Sequence, residues 1–277
     1  MATAGQRYGP IARLGDVVYN AIMSLGDIVL FAMVAVAWTF RRPPAKRTLL
    51  PSLYLVGVRS VPVVAVTGMF IGMVMAVQTY HQFHRMGLAT RLGSMINITV
   101  VRELGPVLAA TMLAGRVGCA MAAELGTMKV TEQIDALACL GANPIHYLVV
   151  PRLIACTLLT PLLTVMADFM GIMGAAFICT HVYGIESHFY WQNAIGYVRP
   201  NDIFSGLVKA VTFGAAIGIV SCRCGLNSKA GAEGVGRAST EAFVSSFMAI
   251  LILDFFLGMA LIHLFEFMFG GGGRSFV

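Results

Sequence analysis

Five apolar runs, near residues 53–80, 98–122, 153–180, 203–222 and 242–269, are separated by stretches that carry most of the charge. A helix takes about 20 residues to cross a hydrocarbon core of about 30 Å, so each run predicts one membrane span. A sixth run, 14–38, contains Asp16 and Asp27 and lies between Arg7 and Arg13 on one side and Arg41, Arg42, Lys46 and Arg47 on the other. Spanning would carry one basic cluster to the side that positive charge avoids. The pattern therefore predicts an interfacial elbow helix over 14–38, its basic flanks against anionic head groups. The expected fold is an all-α integral membrane protein, a single domain over 1–277 with five transmembrane helices.

Between the second and third runs lies a charged island, residues 128–140, with helical spacing. Met128, Ile134, Leu137 and Leu140 alternate with Lys129, Glu132, Gln133 and Asp135. Thr131 is a candidate N-cap, Gly141 a stop signal, and Asn143-Pro144 prevents the helix from resuming. Such a helix is too short and polar to span. It either rests on the membrane surface or forms a rigid knob that a partner grips to move the flanking spans.

Composition agrees with a lipid-embedded chain. Charged residues make up 12% and hydrophobic residues 58%, with a mean hydropathy of +0.80, whereas soluble domains carry about 25% charged residues. The net charge of +6 is read as loop charge that orients the chain and meets anionic lipid, not as a nucleic-acid footprint. With the elbow lying flat, eleven cations fall on the side of the N-terminus and the island, against four on the other: Arg85, Arg91, Arg199 and Arg274. The N-terminus and island are thus expected in the cytoplasm and the C-terminus outside. The opening residues show no cleavable leader pattern. Six scattered cysteines and the pair His81 and His84 lack the ligand count of a metal site, so no metal is expected.

The second run is the most unusual. Ala110, Ala114, Gly118 and Ala122 recur every four residues, with Thr111, Gly115, Cys119 and Ala123 beside them. Small-xxx-small rows let helix backbones approach closely in a bilayer. The partner is either another span of the chain or the same helix of a second copy. Arg102 and Glu103 fall near the outer end of this run, just before Gly105-Pro106. An ionisable pair followed by a helix break either snorkels to the interface or lines a polar pocket. Arg116 lies deeper and needs a partner such as Glu103, Asp168 or Asp254, or a water-filled cavity.

The stretch "VRELGPVLAATMLAGRVGCAMAAELGTMKVTEQIDALACLGANPIHYLVVPR" resembles the signature region of the MlaE/YrbE permease family, and the likeness extends over nearly the whole chain, to "GAEGVGRASTEAFVSS" and "LDFFLG". "DALACLG" also has the acidic-Ala-x-x-x-x-Gly spacing of the loop by which many ABC importer permeases meet their ATPase. The resemblance implies the membrane subunit of an ABC transporter that moves phospholipid or related lipid with MCE-domain proteins, in the bacterial inner membrane. It implies a homodimer on two ATPase subunits, an MCE ring on the periplasmic side and, in some systems, a small cytoplasmic accessory subunit. ATP and Mg would sit on the ATPase, with no cofactor on this chain. It places Lys129, Glu132, Gln133, Asp135, Leu137 and Gly141 in the ATPase-coupling region, and Arg102, Glu103 and Arg116 in or near the lipid pocket. Asp168 departs from the family's expected third span.

Two other function classes fit less well. A secondary transporter usually shows internal repeats, and an intramembrane enzyme needs a nucleophile–base or metal constellation; neither is evident in the sequence. "GAEGVGRAST" lacks the ending of a phosphate-binding loop and is read as a cytoplasmic turn before the fifth span, while the terminal "FGGGGRSFV" reads as a flexible tail.

Overall fold

The first apolar run does not form one straight helix: it breaks at a turn over residues 57–60. The computed structural model describes residues 10–41, 44, 46–85 and 92–269, and every regular element among them is helical. In chain order these are α1 (Pro10–Arg41), α2 (Lys46–Val56), α3 (Val61–Arg85) and α4 (Leu92–Val130). There follow α5 (Gln133–Cys139), α6 (Ile145–Val182), α7 (Ser187–Tyr197), α8 (Pro200–Leu226) and α9 (Gly231–Phe269). Arg7, Arg42, Arg91, Arg274 and most of the glycine-rich tail lie outside the described residues.

Among the described residues five stretches are long and apolar enough to cross a membrane: Lys46–Phe83, α4, α6, α8 and Gly231–Leu264. These correspond to the five expected spans, with bounds shifted outward except at the end of the fifth. α1 is 32 residues long but is not among them. It rests on α6 and α8, with Phe31 and Ala35 packed against Leu148 and Cys222 at the end that carries α5, here called the island end. Asp27 reaches Arg223 there at 3.6 Å.

The core is continuous from the first span to the fifth. Val64, Leu113, Val117, Leu163, Phe213, Ile217 and Ile250 are buried together in its middle. α3 lies so close to α6 that a Cβ on Gly72 would come within 1.9 Å of the Gly171 carbonyl oxygen. The far end is closed by α7 against the first turns of α4, with Tyr190 buried beside Leu92 and Ile96. Tyr80 stacks on Tyr183 at 3.7 Å, and His81 meets the same ring edge-on.

One expected turn is absent. "GAEGVGRAST" belongs to α9, whose helix begins at Gly231; the chain reverses at 227–230 instead. An Arg237–Glu241 pair at 2.9 Å, one turn apart, supports helix in this stretch despite its glycines.

Candidate functional site

Arg102 and Glu103 are not at the end of their span. α4 starts at Leu92, so the pair lies about 15 Å along the helix, within its far half. The helix is locally widened here: residues Val100–Leu104 form a turn with i→i+5 bonding, in which the Gly105 N–H reaches the Val100 carbonyl. Pro106 explains the change, because it has no N–H to continue the regular ladder. Gly105 is required as well. A Cβ there would fall 1.6 Å from Oδ1 of Asp168 on α6.

The widened turn faces a lysine that sequence reasoning missed. Lys209, on α8, is 1% exposed and sits between two carboxylates, Glu103 at 2.5 Å and Asp254 at 2.9 Å. An ammonium at this depth in a membrane protein is costly unless paired. Three spans, α4, α8 and α9, are therefore tied at one point by a lysine with two acidic partners. Glu103 is 48% exposed and Asp254 24%, so the network opens to one side. Arg102 is 39% exposed and lies 3.6 Å from Asp202, in the first turn of α8. A lone lysine inside "SGLVKAVTFG" was the available signal, since an ionisable residue within a span marks a site by default.

Arg116 does not join this network. None of the expected carboxylates, Glu103, Asp168 or Asp254, is its partner. Its guanidinium donates to the Ser60 hydroxyl at 2.5 Å and to the Leu55 carbonyl at 3.4 Å. The break at 57–60 brings both acceptors to it, and Arg116 itself sits in a second widened turn, Ala114–Gly118. Arg116 thus belongs to the joint between the first and second spans. Asp168 keeps its place beside Gly105, with Oδ1 buried and without a hydrogen-bond partner.

The small-residue row packs inside the chain. Ala110, Ala114 and Ala122 are fully buried, and Gly118 lies against Ser221 while Ala122 lies against Gly225, both on α8. This row is a seam between the second and fourth spans and presents no free surface to a second copy.

At the island end, α4 runs on to Val130, which moves the expected helix start. Thr131 closes α4, its hydroxyl donating to the Thr127 carbonyl at 2.8 Å, and is not an N-cap of the island helix. Glu132 follows in a left-handed conformation, φ 59°, and α5 occupies only Gln133–Cys139. Gly141, with φ 78°, ends it. Gln133 and Asp135 are exposed, while Ile134 is buried against Leu125 and Leu148. Leu137 packs inward with this cluster, whereas Leu140, expected on the same apolar face, is 83% exposed. Lys129 is tied down, its ammonium bonded to the Leu226 carbonyl at 2.6 Å. The exposed side chains on this knob include Glu132, Gln133, Asp135 and Leu140.

A five-span helical bundle with a short exposed helix between two spans defines an all-α, multi-pass membrane protein. The chain belongs to the family described as Permease MlaE, which matches residues 49–260. It is 42% identical over 234 residues to a probable ABC transporter permease protein of Rickettsia felis, covering 84% of this chain and 90% of that one. A probable ABC transporter permease protein of Synechocystis is 42% identical over 212 residues, 76% of this chain and 81% of its own. The chloroplastic protein trigalactosyldiacylglycerol 1 of Arabidopsis thaliana is 41% identical over 229 residues, 83% of this chain and 63% of its own. The protein is thus a permease subunit of the ABC transporter class, which implies an ATPase partner.

Proposed function

We propose that this chain forms the membrane part of a lipid transporter, moving phospholipid or a related lipid between the inner membrane and an MCE-domain partner. ATP and Mg act on the separate ATPase chain. The reading rests on one observation above all: the Lys209–Glu103–Asp254 network, with Arg102 beside it, is partly exposed within the far half of an apolar bundle. A polar patch among greasy walls suits an amphiphile, its head group on the charges and its tails on the spans. The name of the Arabidopsis relative is that of a galactolipid, which supports a lipid cargo.

In this reading the island end faces the cytoplasm and the far end the periplasm. Two copies pair in the membrane, each on one ATPase. When the ATPases close on ATP, they press the exposed knob of Glu132, Gln133, Asp135 and Leu140. α4 transmits the push, since Lys129 and Thr131 fasten its last turn to α8 and to itself. The small-residue seam between α4 and α8 then slides, and the far pocket changes shape around the lipid. An accessory cytoplasmic subunit would bind the same end.

Arg102→Glu tests the pocket. Lipid transport by the reconstituted complex should fall steeply while the subunits still co-purify. Transport at the wild-type rate would remove the pocket assignment.

A further inference from the structure

A second polar opening lies at the island end, away from the Lys209 network. A groove of about 400 Å³ runs between α2, the lower part of α4 and the start of α6. Pro51, Leu55, Met121 and Leu148 give it apolar walls, and Arg152 and Glu124 pair across it at 2.9 Å. Arg152 is 12% exposed and held from a second side by the Leu148 carbonyl at 2.8 Å, so its guanidinium has a fixed direction. Glu124 is 53% exposed and open to a further cation. Lys46 and Arg47 begin α2, the helix forming one wall, which puts the groove at head-group level.

The charges select the ligand. A simple anion would gain Arg152 but meet Glu124, and a simple cation the reverse. A zwitterion satisfies both, and the apolar walls take a hydrocarbon chain. We infer that this groove binds the head group of a phosphatidylethanolamine-type lipid from the adjoining leaflet, its phosphate on Arg152 and its ammonium on Glu124. The inference rests on the chain's place in the membrane and does not depend on the cargo or direction of transport.

The test is made on the full chain in native membranes, with whatever subunits it retains. Photoreactive phosphatidylethanolamine and phosphatidylglycerol, each with the probe near the head group, are cross-linked and the adducts mapped to peptides. Phosphatidylethanolamine adducts should concentrate on residues 48–56 and 147–152 and exceed those of phosphatidylglycerol. Arg152→Gln should reduce both lipids' adducts there about tenfold, the factor one lost charge-assisted hydrogen bond carries. Glu124→Gln, at a half-exposed position, keeps a side-chain oxygen that can accept from Arg152 and should abolish the preference between the two lipids. It therefore decides the matter alone if Arg152→Gln fails to fold. Adducts indifferent to head group and to Glu124→Gln, or cross-links to a protein chain in place of lipid, would overturn the proposal. Adducts around residues 102–103 and 209 report the far pocket separately.

Discussion

Lys209 and Asp254 join the fourth span to the fifth through an ion pair of 2.9 Å, and the lysine is 1% exposed. Breaking a buried pair by removing one partner costs about 3–5 kcal/mol, because the other charge is left uncompensated. Lys209→Met leaves Asp254, 24% exposed, without its cation, while Glu103, 48% exposed, can still turn to solvent, so the loss falls mainly on Asp254. The variant should melt well below the wild type in mild detergent. Adding Asp254→Asn should recover part of the loss by discharging the less exposed carboxylate. Equal melting of Lys209→Met and wild type would show that the network contributes nothing to the fold.

Gly105 and Asp168 make a matched pair of opposite kind. Gly105→Ala would drive a methyl group into the Asp168 carboxylate, with the Val100 carbonyl 3.1 Å away on the other side. The single change should sharply reduce the yield of folded protein. Asp168→Ala removes an oxygen that has no hydrogen-bond partner, so it should be mild alone and should rescue Gly105→Ala. Size-exclusion profiles of the three variants check this; a double mutant no better than Gly105→Ala would mean the clash is not with Asp168.

These two sites show what the sequence disclosed and what it hid. Five spans and an exposed knob were legible because each depends on local hydropathy and on charge-flanked ends. Arg102 and Glu103 stood out beside Gly105-Pro106 for the same reason. Pairing across helices was hidden, because partners such as Glu103 and Lys209 are 106 residues apart in the chain. Charge alone points Arg116 to a carboxylate or a water-filled cavity; the break over 57–60 instead brings it the Ser60 hydroxyl and the Leu55 carbonyl. Leu137 and Leu140 were interchangeable by spacing, and only the end of α5 near Leu140 separates buried from exposed.

The close approach of the first and third spans gives a graded prediction. A Cβ on Gly72 would lie 1.9 Å from the Gly171 carbonyl oxygen, whereas one on Gly171 finds its nearest atoms at 3.3 Å. Gly72→Ala must separate two backbones; Gly171→Ala needs a shift of a few tenths of an ångström. Melting temperatures should therefore fall much further for Gly72→Ala. The reverse order would mean that α3 and α6 are not packed in this register.

Tyr190, on α7, is buried against the start of α4, and its hydroxyl has no hydrogen-bond partner. Burial pushes its phenol above the usual range, with nearby Cys179 adding to the effect, so it stays neutral throughout the physiological range. An unpartnered buried hydroxyl costs stability, of the order of 1–3 kcal/mol. Tyr190→Phe should be neutral or raise the melting temperature, while Tyr190→Ala opens a cavity under the far-end cap and should lower it. A clear loss with Phe would reveal a partner for the hydroxyl in the assembled transporter.

At the island end stability and function should part company. Glu132 has φ 59°, a conformation that favours glycine, and its side chain is exposed. Glu132→Gly should relieve strain and preserve or slightly raise stability, by about 0.5–1 kcal/mol. If the carboxylate meets the ATPase, the same change weakens that contact, and Glu132→Arg with Asp135→Arg should detach the ATPase while leaving the bundle's melting unchanged. Neither side chain packs into the core, so a folding defect cannot imitate the result. Co-purification at moderate salt measures it: an ATPase still bound in full to the double arginine variant would place the coupling contact elsewhere, with Leu140 the next exposed residue to test.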